Sequence, residues 1–298
     1  MNRMSLPVGI YAPVPTSFDA QDQFDPTRFR HLLARWVASP LTGFVILGSN
    51  GEAPYVDELE SDRVIAAARE VIPHERPLIA GTGRESTRAT IAATRRAADL
   101  GADAVIVRTP GFFKLQMTSE VFIRHYTAVA DASPVPVLLY NYTALTGVNL
   151  GADAVGRLAA HANIVGIKES GGDAAQIADF VAAGGPEFCV FAGSSTSFYP
   201  SLCAGASGGI LALSCVLPDA CVRLFEYVRQ GAHDEARALQ RRLVPMARLL
   251  GNKYGVPGLK AALQITGLDA GDPRPPLLPL DAAGRAALEA ALQTFGTL

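Results

Sequence analysis

Short apolar runs and longer stretches of helical period alternate along most of this chain. Runs rich in Val, Ile, Leu and Ala fall at Gly9–Val14, Gly43–Gly48, Pro77–Thr82, Ala104–Thr109, Val135–Tyr140, Ile164–Lys168, Cys189–Gly193 and Gly208–Leu213. Each is brief and bounded by Gly, Pro, Ser or Asn, which predicts eight strands. Between them, Pro26–Ala38, Asp57–Val71, Ser86–Leu100, Thr118–Ala132, Gly151–His161 and Ala174–Ala183 read as helices. Asp25 followed by Pro26 is an N-cap with proline in the first turn, and Gly101 stops the Ala- and Arg-rich third helix. After Leu217-Pro218 the alternation ends. Asp219–Gln230, Ala232–Leu250 and Val256–Ile265 read as consecutive helices, and Asp281–Phe295 follows a loop at Pro273-Arg-Pro-Pro276.

Strands alternating with helices call for a parallel sheet, and eight of them favour closure. The expected class is therefore α/β: a (β/α)8 TIM barrel over residues 1–217 with a C-terminal helical region, 218–298, packed on it. The competitor is an open doubly wound sheet. It calls for a Gly-rich phosphate turn after the first strand, whereas Gly81-Thr-Gly83-Arg-Glu-Ser86 follows the third strand and lacks the third glycine.

Composition narrows the class of partner. Of 298 residues 49% are hydrophobic and 18% charged, enough apolar material for a large core. Lys+Arg 26 and Asp+Glu 28 are intermixed, with no basic stripe for nucleic acid. No run approaches the roughly 20 apolar residues of a membrane span. The N-terminal Met1-Asn-Arg-Met-Ser-Leu-Pro lacks the apolar stretch of a signal peptide. Cys189, Cys203, Cys215 and Cys221 form no Cys-x-x-Cys pair, and three lie in apolar contexts, which reads as reduced core cysteines of a cytoplasmic protein. The five histidines are scattered with no ligand-like spacing, so a structural or catalytic zinc is not expected; no other bound cofactor is expected either.

The candidate chemistry centres on Ile164-Val-Gly-Ile-Lys-Glu-Ser170. By strand alternation Val165 and Ile167 share one face, opposite Gly166 and Lys168. A lysine in such a run either reaches solvent or is buried. Burial disfavours its ammonium and makes the amine a nucleophile near neutral pH. In a barrel of this kind reactive groups gather at the C-terminal strand ends. There the second strand supplies Gly48, Ser49 and Asn50, a small polar turn whose amides and side chains can cradle a carboxylate or phosphate. The fifth supplies Tyr140, the sixth Lys168, and the seventh Gly193 in another small-residue turn. An amine, a neighbouring phenol and an anion cradle suit Schiff-base chemistry on a 2-keto acid.

These motifs also carry a family resemblance. Pro13-Val-Pro-Thr-Ser-Phe18, Gly48-Ser-Asn-Gly-Glu52, Gly81-Thr-Gly83, Thr109-Pro110, Leu139-Tyr-Asn141, Gly166-Ile-Lys-Glu-Ser170, Ala192-Gly-Ser194, Gly208-Gly-Ile210 and Gly255-Val-Pro-Gly-Leu-Lys260 occur in that order. The chain resembles the pyruvate-dependent class I aldolases of the dihydrodipicolinate synthase and N-acetylneuraminate lyase superfamily. The resemblance implies a TIM barrel, Lys168 as the Schiff-base lysine and Tyr140 as proton relay. It implies that Ser49 and Asn50 bind the keto-acid carboxylate and that the Ile210 backbone lines the site. It further implies small-molecule partners, a 2-keto acid and an aldehyde, and a homotetramer built as a dimer of dimers.

Two departures bear on the substrate. Dihydrodipicolinate synthases resemble Tyr-Asn-Val-Pro-x-Arg-Thr-Gly after the fifth strand, and here Leu145 stands in place of the arginine that grips the aldehyde's carboxylate. Leucine cannot form that bidentate pair. The turn Gly48-Ser-Asn-Gly-Glu52 and the segments His125–Asp131 and Ser170–Asp173 are more similar to 4-hydroxy-2-oxoglutarate aldolases. The expected activity is thus formation or cleavage of a 4-hydroxy-2-keto acid, either 4-hydroxy-2-oxoglutarate or a 2-keto-3-deoxy sugar acid. Dihydrodipicolinate synthesis is the alternative. Secondly, Phe112 occupies the place of the family's relay tyrosine on the loop after the fourth strand, a subunit-interface loop, and a phenyl ring carries no proton. That leaves room for a non-catalytic keto-acid-binding homologue. Arg108 and Lys114 flank the loop and are expected as solvent-facing charges.

Overall fold

The computed structural model describes residues 6–296, so most of the N-terminal segment judged against a signal peptide lies outside the described residues. Eight parallel strands close into a barrel in chain order. They are β1 Gly9–Pro13, β2 Gly43–Ile46, β3 Leu78–Gly81, β4 Ala104–Arg108, β5 Val137–Asn141, β6 Ile164–Glu169, β7 Cys189–Ala192 and β8 Gly208–Ile210. The closed barrel is the architecture expected, and the open sheet is excluded because β1 pairs with β8.

The helices of the ring are α1 Pro26–Val37, α2 Glu58–Arg69, α3 Thr87–Asp99, α4 Ser119–Ala132, the short α5 Thr143–Thr146, α6 Ala152–Ala159, α7 Ala174–Gly184 and α8 Phe198–Cys203. Their starts follow local chemistry. The side chains of Asp25, Asp57, Ser86, Thr118 and Asp173 each accept a backbone N–H of the helix they precede, satisfying donors that have no partner within the helix. Sequence periodicity misses α5 and α8, which are too short to show a helical period and carry Pro200 inside the second. The last helices are α9 Pro218–Arg229, α10 His233–Arg248, α11 Gly255–Ile265 and α12 Ala282–Phe295, with a π-helical turn, Leu249–Lys253, between α10 and α11. α9 packs on β1 and α8 as well as on α10, so the helix just after the expected 217/218 boundary serves the barrel's ring and the helical region alike.

Two layers of apolar side chains result. Tyr11, Val45, Ile79, Ile106, Leu138, Tyr140, Val165, Phe191 and Ile210 fill the barrel interior. The alternate residues, such as Phe44, Val105, Leu139 and Val190, face the helices. One expectation fails here. Val165 and Ile167 do not share a face, because the ladder between β5 and β6 jumps from Val137–Ile164 to Leu138–Gly166. The extra residue is a bulge, which shifts the alternation by one. Val165 therefore joins the barrel interior while Ile164 and Ile167 pack against the helices. Cys189, Cys215 and Cys221 are buried, whereas Cys203, at the end of α8, is exposed rather than part of the core; none of the four forms a disulfide. Among the described residues no helix is long and apolar enough to cross a membrane.

Candidate active site

The bulge in β6 decides where its lysine goes. Beyond it the register is regular, and Tyr140 and Lys168 are direct partners across β5 and β6. Both point into the barrel, and Lys168 Nζ lies 4.4 Å from the centre of the Tyr140 ring. Lys168 is only 6% exposed and Tyr140 5%. Glu169, next in sequence, turns to the other face of the strand, where Asn141 Nδ2 donates to it at 2.6 Å. No ion pair among the described residues includes Lys168. Its ammonium is buried without a carboxylate, and burial pushes its pKa down to about 7. A large fraction is then free amine at neutral pH.

The Tyr140 phenol is held on its far side. Its hydroxyl lies 2.9 Å from Ser49 Oγ. Burial raises its pKa, while the hydroxyls of Ser49 and Ser170 oppose that rise. Ser49 belongs to the turn after β2, which starts earlier than expected. The strand stops at Ile46 because Leu47 adopts a left-handed conformation, φ 52°. The turn then closes on itself, with the amides of Gly51 and Ala53 donating to Gly48 O at 3.1 and 3.3 Å and that of Glu52 to Ser49 O at 3.1 Å. None of the hydrogen bonds among the described residues uses the N–H of Ser49 or Asn50. Those two amides, beside a buried lysine, are donors open to a carboxylate.

The remaining strand ends complete a cavity of about 870 Å³ over Lys168. Gly193 lies on its wall for a steric reason: a Cβ there would sit 1.9 Å from Ser170 Oγ and 3.0 Å from Lys168 Cε. Ile210 is fully buried beneath the cavity, and Gly48, Asn50, Leu145 and Phe112 also border it. Leu145, on α5, is 62% exposed and Phe112 is 77% exposed, so both stand at the rim rather than at the lysine. Arg108 is less free than its sequence position suggests, since its guanidinium bonds Glu85 at 2.7 Å. Glu85 in turn accepts the amides of Gly111 and Phe112 at 3.0 and 2.9 Å, which fixes the loop after β4. Lys114 is exposed as expected and lies over Gly147. No group of three or more His, Cys, Asp or Glu side chains gathers to hold a metal among the described residues.

Sequence reasoning overlooked three participants. Ser170 stands out in the sequence only as the end of the lysine motif, yet it abuts Gly193 and Tyr140. Glu85 gave no signal, being one acid in a polar turn. Glu52 did give one: an acid closing a small-residue turn, with a single lysine, Lys260, inside the apolar run that becomes α11. Those two side chains are each 1% exposed and form an ion pair of 2.7 Å.

Comparison with known proteins places this geometry. Residues 6–295 match the model of the dihydrodipicolinate synthetase family. A 4-hydroxy-tetrahydrodipicolinate synthase of Exiguobacterium sp. is 36% identical over 96% of this chain and 97% of its own length. A probable mitochondrial 4-hydroxy-2-oxoglutarate aldolase of Emericella nidulans is 35% identical over 97% of this chain and 95% of its own. Among solved structures, dihydrodipicolinate synthase DapA-2 from Bacillus anthracis superposes with a TM-score of 0.93 at 30% identity, covering 97% of this chain and 99% of that one. YagE, a prophage protein of E. coli solved in complex with pyruvate, gives 0.91 at 28% identity over 98% and 99%.

Proposed function

The chain belongs to the dihydrodipicolinate synthetase family, and from that premise we propose that it forms a Schiff base between Lys168 and a 4-hydroxy-2-keto acid and cleaves or makes the C3–C4 bond. It is a lyase of the aldolase kind. The observation that carries the mechanism is the buried, carboxylate-free amine of Lys168 against the Tyr140 ring. The substrate carboxylate takes the amides and side chains of Ser49 and Asn50. The Lys168 amine adds to the C2 carbonyl and passes one of its protons to the oxygen; Tyr140 gives the second, and the oxygen leaves as water to form the iminium. The tyrosinate then removes the C4 hydroxyl proton. The C3–C4 bond breaks, its electron pair enters the iminium as an enamine, and the aldehyde departs. Protonation at C3 and hydrolysis release pyruvate and regenerate the amine. The covalent bond holds the substrate, so no further cofactor enters these steps.

The test is trapping. Borohydride added to enzyme with pyruvate reduces the imine, and peptide mass spectrometry is expected to find the adduct on Lys168. An unmodified Lys168 refutes the proposal.

Leu145 favours 4-hydroxy-2-oxoglutarate or a 2-keto-3-deoxy sugar acid over dihydrodipicolinate chemistry, because it offers no cation to the aldehyde. The relative named as a 4-hydroxy-tetrahydrodipicolinate synthase supports the alternative, condensation of pyruvate with aspartate semialdehyde. A panel of aldehydes assayed with pyruvate separates the two. Turnover of any 2-keto acid dismisses the second alternative, a non-catalytic keto-acid-binding homologue, which Phe112 motivates. The exposed Phe112, Phe113 and Leu115, at 77%, 67% and 93%, support a homotetramer in which this loop meets a neighbouring copy. Light scattering with a Leu115→Asp variant tests it, with a smaller assembly as the expected outcome.

A further inference from the structure

We propose that the buried Glu52–Lys260 pair positions the keto-acid cradle, so that the C-terminal helical region sets how tightly the site holds its 2-keto acid. The inference rests on the reading of Gly48–Glu52 as a carboxylate cradle.

The turn is framed by two strained residues. Leu47 and Glu52 both adopt left-handed backbone conformations, φ 52° and 55°, and neither is glycine. Such residues persist only where their surroundings hold them. The backbone between them is pinned on one side by Thr16, whose hydroxyl donates to Gly51 O at 2.6 Å. The other side is pinned through the Glu52 side chain. Its Oε1 lies 2.7 Å from Lys260 Nζ on α11, and its Oε2 accepts the Arg274 amide at 2.8 Å.

Both contacts are themselves anchored. Lys260 Nζ also donates to Asp272 O at 2.9 Å and sits 4.5 Å from the centre of the Phe18 ring. The Arg274 guanidinium lies 4.0 Å from the centre of the same ring and grips Glu60 through two bonds of 2.7 Å. The region beyond the barrel therefore reaches back to clamp one residue, three positions after Ser49. Ser49 is also the partner of the Tyr140 hydroxyl, so a rotation of this turn disturbs cradle and relay together. A pair this deeply buried is a costly way to gain stability alone, since removing either charge strands the other. Fixing a strained turn is a use that repays such a pair.

The test separates positioning from mere stability. Four variants are compared with wild type: Lys260→Met, Glu52→Gln, the two combined, and a remote control, Val129→Ala. For each, the pyruvate concentration that half-saturates borohydride trapping of Lys168 is measured, together with the urea unfolding midpoint. Lys260→Met is expected to raise the half-saturating pyruvate about tenfold, the scale of one misaligned charge-assisted hydrogen bond. The double variant strands no charge, so it is expected to recover stability but not pyruvate affinity. Val129→Ala, a cavity in α4 remote from the site, is expected to lower the midpoint and leave half-saturation unchanged. Wild-type half-saturation in Lys260→Met, or an equal shift in Val129→Ala, overturns the proposal. Should Lys260→Met not fold, Glu52→Gln carries the same comparison, and wild-type half-saturation in it is equally fatal. Failure of the wild-type protein to trap pyruvate at all refutes the reading of the site instead.

Discussion

Two lysines are buried among the described residues, and their surroundings give them opposite work. Lys168 lies near the end of a barrel strand at 6% exposure, its amine against the Tyr140 ring and in no ion pair among the described residues. Lys260 sits in the helical region at 1% exposure, against the carboxylate of Glu52 and the carbonyl of Asp272. Burial lowers the pKa of both. At Lys260 the Glu52 charge opposes that fall, and the side chain is tied as a strut by its ion pair of 2.7 Å with Glu52. At Lys168 no acid opposes it to that degree, and the amine is released as a nucleophile. Burial by itself thus does not make a reactive lysine; burial without a counter-charge does.

The sharpest way to break this contrast is to remove one amine. Lys168→Met is expected to lower turnover of the 2-keto acid by at least about 10⁴-fold, the scale of losing a covalent nucleophile. It should also abolish the borohydride adduct. An adduct that migrates to Lys260 in this variant would erase the distinction. Next in size is Tyr140→Phe, which keeps the ring against Lys168 but removes the hydroxyl that meets Ser49. Loss of about 10²–10⁴-fold in kcat is expected, as for a general acid–base group. A smaller loss would mean that water or Ser49 moves the proton.

The contrast is also sharpened by pH. With a pKa of about 7, Lys168 is mostly amine above neutrality and mostly ammonium below it. The rate of pyruvate trapping should therefore level off above pH 7 and fall about tenfold per unit below it. The sign for stability follows from the same shift. Between the ordinary lysine value of 10.5 and about 7, the unfolded chain holds a proton that the folded one does not. Folding free energy from this group is present at high pH and is lost as pH falls through that window. In Lys168→Met the trapping limb vanishes and the urea midpoint loses this part of its pH dependence.

Much of this was legible in the sequence, because the signals were local and repeated. Eight short apolar runs between capped helices announce a barrel, and the C-terminal ends of those runs carry Ser49, Tyr140, Lys168 and Gly193, which the fold gathers around one cavity. What escaped was non-local or irregular. A bulge at Val165 inverts the faces of β6 without any residue that marks it. The hydrogen bond between Ser49 and Tyr140 joins positions 91 residues apart, and the ion pair of Glu52 with Lys260 joins β2's turn to α11. Alternation gives the direction of a side chain along its own strand but says nothing of what faces it from elsewhere. Cys203 shows the same limit, since its helix was too short to reveal which face is wet.

The smallest expected effect concerns the rim, where a third kind of cation is at issue. Leu145→Arg restores a guanidinium at the mouth of the cavity, and at 62% exposure the change costs the fold little. If a missing cation is what bars dihydrodipicolinate chemistry, kcat/KM for pyruvate with aspartate semialdehyde should rise about tenfold, the value of one charge-assisted hydrogen bond. Condensation with an uncharged aldehyde should not change. The other basic side chains at the rim make the outcome informative. Arg108 is occupied by Glu85 at 2.7 Å, but Lys114 over Gly147 forms no ion pair among the described residues. If Lys114 already reads the carboxylate of an acidic aldehyde, Leu145→Arg adds little and Lys114→Met removes about as much as the arginine was expected to give. Strong wild-type activity with aspartate semialdehyde, lost in Lys114→Met, would then move the assignment to the synthase alternative with the chemistry at Lys168 untouched.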